Sequence, residues 1–179
     1  PWPVALADQT TDPSLDEALR GHVAAANRLL APAAADLLAT TGRPVDLFGF
    51  TPNPARLSAA ADATASVEGV ALTQLGALLD LEHLGYSVAA AKPVAVLGHS
   101  QGVLAVHMTR AIEAAGSIEA AGKTLDEILA VAALIGAAGT RRVRELGLNP
   151  KYGEASPMLS VKGATREQVE ALVKRVNNA

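Results

Sequence analysis

Residues 94–107 read Val94-Ala95-Val96-Leu97-Gly98-His99-Ser100-Gln101-Gly102-Val103-Leu104-Ala105-Val106-His107. An apolar run meets a run of helical character there, with one serine between two glycines at the junction. Together with Lys92 and Pro93 before it, the apolar run is short and uninterrupted, the character of a central parallel strand covered on both faces. From Gln101 the pattern predicts a helix to Ala115. A strand that turns sharply into a helix pushes its apex residue into strained backbone, so that the side chain stands clear of the sheet. The residues two before and two after the apex then approach each other, which asks for glycine or another very small residue at Gly98 and Gly102. Free amides at the start of the helix face the serine and stabilise a developing oxyanion. Ser100 is therefore the candidate nucleophile. The plainer alternative is a structural turn between glycines, and a strand before and a helix after the pentapeptide are the context that favours the nucleophile.

A serine nucleophile needs a base within hydrogen-bond reach, usually a histidine. Of the four histidines, His99 sits in the elbow with its side chain directed differently from Ser100. His107 lies two helical turns beyond the serine, where the rise carries it away. His22 and His83 fall on helices expected at the periphery, where a surface or hydrogen-bonded histidine is the commoner fate. None is a convincing base, so the proton acceptor is expected outside this sequence.

Composition narrows the function classes. The chain has 179 residues, half of them apolar (50%) and only 18% charged, which suits one domain with a real core and not a disordered segment. A net charge of -3 and no Lys/Arg stripe argue against nucleic acid. The absence of cysteine excludes a disulfide scaffold, a thiolate zinc site and a cysteine nucleophile. No H-E-x-x-H spacing supports a metal. No signal peptide or membrane span is predicted, and the cytoplasm is the expected compartment. A start without methionine and an end directly after a helical pattern suggest a piece of a longer polypeptide.

The rest of the chain reads mainly as helices. Three capping boxes, Ser14 to Glu17, Thr124 to Glu127 and Thr165 to Gln168, each mark a helix start. Leu15, Leu19, Val23, Ala26 and Leu30 recur at helical spacing, and Pro32 either kinks this helix or divides it in two. Residues 43–57, with Pro44, Pro52 and Pro54, read as an ordered loop leading into a short helix near Pro54 to Ala61. Val70, Leu72, Leu75, Leu78, Leu79 and Leu81 make a mostly buried helix that finishes near Gly85. The glycines of Leu134-Ile135-Gly136-Ala137-Ala138-Gly139-Thr140 fit close helix packing better than a nucleotide loop. Arg141, Arg142 and Arg144 complement the end of their helix. Residues 157–163 are a second strand candidate.

The stretch 98–106, with 67–79 before it and 134–140 and 157–161 after, resembles the acetyltransferase domain of bacterial and fungal type I fatty acid synthases, and more distantly the malonyl-CoA:acyl carrier protein transacylases. Glutamine after the serine, at Gln101, is the synthase form; the transacylases usually carry leucine there, and glutamate where this chain has Val103. The resemblance implies an α/β fold: a hydrolase-like parallel sheet core with flanking helices over residues 1–155, and the start of a small ferredoxin-like subdomain over 156–179. It implies that Ser100 takes an acyl group from coenzyme A as a seryl ester and passes it to the phosphopantetheine thiol of an acyl carrier protein, in fatty acid synthesis. No bound cofactor is implied; the partners are acetyl-CoA or another acyl-CoA, the carrier protein domain and the other domains of a large multienzyme.

By the same resemblance, the backbone N–H of Gln101 is half of the oxyanion hole. The other half, a G-Q-G stretch, is expected before Pro1, and the histidine base after Ala179. Malonyl-specific relatives carry an arginine where this chain has Ile135, and an isoleucine leaves a buried malonyl carboxylate unpaired. Ile135 therefore points to acetyl or another uncharged acyl group. A malonyl/palmitoyl transferase, a serine esterase or thioesterase, and a non-catalytic scaffold stay open as alternatives.

Overall fold

The computed structural model describes residues 13–41, 63–147 and 163–177. The chain divides into two compact units, Pro1–Asn149 and Pro150–Ala179. In the first, helix α1 (Pro13–Leu30) passes through a 3₁₀ turn (Ala31–Ala33) into α2 (Ala34–Thr41). Pro32 sits in that turn and divides the two helices, as a residue without an N–H does. Then come α3 (Ala63–His83), the single turn α4 (Val88–Ala91), α5 (Gly102–Ala115) and α6 (Gly122–Glu145). Helix α6 is the hub, packed against α1, α2, α3 and α5.

The described residues contain no strand. This overturns the expected hydrolase-like parallel sheet: what is described of the fold is a helical assembly. Residues 92–98 are neither helix nor strand, Val94 stands in a bend, and Val94 and Leu97 are 106% and 91% exposed. The physical reason lies in pairing. An apolar run becomes a central strand only when neighbouring strands accept and donate its backbone hydrogen bonds and helices cover both faces. Here the described neighbours are helices, which satisfy their own backbones and offer no ladder. The second strand candidate, at 157–163, lies outside the described residues except for Gly163, which stands in a bend.

Most helices start and stop where local chemistry asks. Gly85 (φ +85°) ends α3 in a Schellman arrangement, with Tyr86 N–H donating to Leu81 O and Gly85 N–H to Glu82 O, each at 2.9 Å. Gly116 (φ +85°) closes α5, and Gly147 (φ +67°) follows α6. An exception is the expected cap at Thr124. Helix α6 begins at Gly122, because Leu125 N–H already donates to Ala121 O (3.1 Å), and a turn in which Ser117 Oγ accepts from Ala120 N–H (3.0 Å) leads into it. Thr124 is thus inside the first helical turn. Ser14 also falls inside its helix, because α1 begins at Pro13, and its side chain lies outside the described residues.

The core fills the space between α6 and its neighbours. Leu75 of α3, Met108 and Ile112 of α5, and Leu125 and Leu129 of α6 are fully buried, and Val23, Ala26 and Leu30 join them from α1. Ala130, Ala132, Ala133, Gly136 and Ala137 on α6 are buried too, and their small side chains let helices approach closely. A polar bond crosses this packing: His22 Nδ1–H of α1 donates to Asp126 Oδ1 of α6 at 2.6 Å, with both side chains under one-fifth exposed. His22→Ala leaves that carboxylate part-buried without its donor. A loss of about 1–3 kcal/mol of stability is expected, read as a lower urea midpoint at unchanged slope. By contrast, Arg141 bridges to Asp36 at 2.8 Å with both side chains half or more exposed, a pair of little energetic consequence.

The second unit contributes α7 (Arg166–Asn177). Its start is the expected capping box: Thr165 Oγ1 accepts from Gln168 N–H at 3.3 Å, and Gln168 Oε1 accepts from Thr165 N–H at 2.9 Å. The Glu167 carboxyl in this first turn is held below the usual carboxylate range, first by its own backbone N–H and then by the Thr165 hydroxyl. Among the described residues no helix is long and apolar enough to cross a membrane.

Candidate functional site

The turn that joins residues 92–98 to α5 is built from three successive short-range bonds. Gly102 N–H donates to His99 O (2.9 Å), Val103 N–H to Ser100 O (3.1 Å) and Leu104 N–H to Gln101 O (3.1 Å). Ser100 sits at the apex with φ +55°, one of two non-glycine residues at positive φ among those described. This is the left-handed region, which costs an L side chain roughly 1–2 kcal/mol. Such strain persists only where surrounding contacts over-determine it. The Ser100 side chain is exposed, and among the described residues nothing hydrogen-bonds its hydroxyl.

The glycines on either side are not equivalent. A Cβ added to Gly98 would collide with the Gly102 carbonyl oxygen, reach within 2.5 Å of the Gly102 carbonyl carbon and lie 2.8 Å from Val106 Cγ2. Backbone cannot yield to such an overlap without moving the turn. At Gly102 a Cβ would meet nothing within 4 Å. The close approach is real but one-sided: Gly98 needs to be glycine because Gly102's carbonyl group is its wall.

Gln101 is the N-cap residue of α5, with no side-chain cap bond of its own. Its carbonyl oxygen takes a second donor, the Nε2 amide of Gln74 from α3, at 3.4 Å. Among the described residues no acceptor engages the Gln101 N–H. The amides of Gly102, Val103 and Leu104 are committed to the turn, so the Gln101 N–H is the donor next to Ser100 that is left for a ligand.

Of the remaining candidates His99 alone belongs to the turn. His99 is exposed within the turn, and His107 is exposed on α5; His22 is engaged with Asp126. Among the described residues no histidine hydrogen-bonds Ser100, and no group of three or more His, Cys, Asp or Glu side chains could hold a metal. Ile135 is on α6, 51% exposed, beside exposed Val131 and Leu134. Two polar residues of α3 escaped the sequence reading. Glu68 is 1% exposed, and Gln74 reaches the turn. The signal available was a glutamate and a glutamine inside an otherwise apolar helical stretch, where a polar side chain has a partner or a purpose.

The family model for the starter unit:ACP transacylase in aflatoxin biosynthesis matches residues 55–179, more than two thirds of the chain. The match spans Gln74, the turn at 98–102 and Ile135. No curated protein and no solved structure matches the chain. An acyltransferase domain of a synthase is what the residues around Ser100 suggested, but the matched branch is the starter unit transacylase and not the acetyltransferase of the bacterial type I fatty acid synthases. The chain belongs to the starter unit:ACP transacylase family, a family of acyltransferase domains.

Proposed function

We propose that this chain moves an acyl starter unit from coenzyme A to the phosphopantetheine thiol of an acyl carrier protein, through an ester on Ser100. The observation that carries the reading is Ser100 itself: an exposed serine held at φ +55° on the apex of a turn into a helix, within the residues that match the family. Strained backbone of this kind presents a nucleophile clear of its surroundings.

In the first half-reaction the Ser100 Oγ attacks the thioester carbonyl carbon, and its proton passes to a base. The carbonyl oxygen becomes an oxyanion that accepts from the Gln101 N–H. Collapse breaks the carbon–sulfur bond, and the coenzyme A thiolate leaves with the proton. In the second, the carrier's phosphopantetheine thiol attacks the seryl ester, the carbon–oxygen bond breaks, and the Ser100 hydroxyl is restored. We place the base outside these 179 residues: His22 is tied to Asp126, and among the described residues none of His83, His99 and His107 hydrogen-bonds Ser100. The carrier protein belongs to the same multidomain synthase.

The acyl group is uncharged. Ile135 stands where malonyl-specific relatives carry an arginine, so a malonyl carboxylate finds no bidentate partner from that position. Ile135 is half-exposed on α6, so a long charged side chain fits there without displacing the core. Ile135→Arg is expected to raise malonyl loading relative to acetyl loading about tenfold, the worth of a charge-assisted hydrogen bond. Competition between the two labelled coenzyme A esters measures it, and an unchanged ratio removes Ile135 from the substrate site.

The direct test of the proposal is to incubate the full-length protein with radiolabelled acetyl-CoA and locate the label by peptide mapping. Label on the peptide that carries Ser100, discharged by added carrier protein, is the expected result. Release of free acid in excess of transfer to the carrier would identify a thioesterase instead, and label on another residue would overturn the assignment of Ser100.

A further inference from the structure

We infer that Gln74 is a positioning residue for acyl transfer, holding the strained turn at Ser100 from a neighbouring helix. The inference rests on the proposed role of Ser100 and deepens it.

The turn at 98–102 closes with short-range backbone bonds, which leave a left-handed serine at the apex. A conformation of that kind relaxes unless something outside the turn holds it. Among the described residues, the side chain that hydrogen-bonds to the turn is Gln74, whose Nε2 donates to the Gln101 carbonyl oxygen at 3.4 Å. The peptide group between Gln101 and Gly102 is planar and trans, so its carbonyl and its N–H point in opposite directions from one rigid plate. Its N–H is the Gly102 amide, which donates to His99 O and closes the turn across Ser100. A hold on the carbonyl end therefore sets the orientation of the amide end. Through it, Gln74 sets the angle at which Ser100 and the Gln101 N–H face an incoming thioester.

The other half of the Gln74 amide argues against a purely stabilising role. Its Oε1 is buried and has no hydrogen-bond partner among the described residues. A buried acceptor without a partner lowers stability. A methionine of similar length and shape would remove that cost and pack as well in the same place. Glutamine at this position thus costs stability and supplies a donor to the turn beside the nucleophile, the pattern expected where function and stability pull apart.

The experiment compares Gln74→Met and Gln74→Glu with the parent and with Ser100→Ala in the full-length protein, using acetyl-CoA as the acyl donor. Methionine keeps the volume and loses the donor. Glutamate keeps the shape and, ionised, sets a negative oxygen against the Gln101 carbonyl. The expected result is a fall in kcat of about tenfold for Gln74→Met and more for Gln74→Glu, with KM for acetyl-CoA within about twofold, because Gln74 does not touch substrate. The melting temperature of Gln74→Met should equal or exceed that of the parent.

A structural role would lower stability and activity together, and that joint fall in Gln74→Met overturns the inference. So does an unchanged kcat in both variants, or a raised KM with kcat intact. If one variant does not fold, the other carries the test. Should Ser100→Ala load acetyl groups as the parent does, the reading of Ser100 fails and the inference with it. Should Ser100→Ala be inactive while both Gln74 variants match the parent, the inference alone fails.

Discussion

Ser100→Ala is expected to lower acyl loading by a factor on the order of 10³ or more, with the fold intact. Alanine removes the Oγ that attacks the thioester and leaves the Gln101 N–H in place to polarise its carbonyl. What survives is the modest rate that binding and an oxyanion donor supply without a nucleophile. Alanine also keeps a Cβ at φ +55°, so the backbone strain is the same in parent and variant, and the melting temperature should not move. That control separates loss of chemistry from loss of structure. Loading is measured as covalent radiolabel retained by the protein after denaturation. Label retained at the parent level in Ser100→Ala would remove the serine from the mechanism.

The second large effect is expected from Gly98→Ala, with Gly102→Ala as its control. An alanine Cβ at 98 overlaps the Gly102 carbonyl group, with the carbon at 2.5 Å, and crowds Val106 Cγ2 at 2.8 Å. The methyl of Val106 can rotate away, but the carbonyl belongs to the first residue of α5 and cannot move without the helix start moving with it. A shift of the order of an ångström at Ser100 follows, and misplacement on that scale costs transfer about 10²-fold. Gly102→Ala meets nothing within 4 Å and replaces a glycine inside a helix by the best helix former. It should keep transfer within a few-fold and gain up to about 1 kcal/mol of stability. The pentapeptide motif treats the two glycines alike. Equal losses in both variants would show that the one-sided crowding does not govern the turn.

The same turn shows how far a sequence can be read. Its helical half was legible because the causes are local: α5 runs Gly102–Ala115 and closes on Gly116 at φ +85°, a stop that glycine alone takes without strain. The capping box at Thr165 is of the same kind, four residues whose side chains and amides satisfy each other. The half before Ser100 was not legible. Residues 92–97 carry strand composition, yet the described chain places them outside any sheet, with Leu97 91% exposed. Composition records which residues suit a strand, and says nothing about whether a partner strand lies alongside. The start of α6 at Gly122 and not at Thr124 follows the same logic on a smaller scale: an adequate cap was present, but the turn before it had already begun the helix.

The family was legible at the level of acyl transfer and no finer. A serine between glycines serves the chemistry common to several branches of acyltransferase, so the residues around it do not separate a starter unit transacylase from a fatty acid synthase domain.

By itself, then, the sequence determined most of the helices, the glycine stops at Gly85 and Gly147, the capping box at Thr165 and the presence of a candidate nucleophile between two small residues. Each of these depends on neighbours within a few positions, where backbone geometry and side-chain reach leave few options. Only the tertiary structure decided that residues 92–98 run outside a sheet, that His22 meets Asp126 across 104 positions, and that Gln74 of one helix holds the first carbonyl of another. Those contacts join residues that the chain brings together only after its helices pack, and their energies appear in no local pattern.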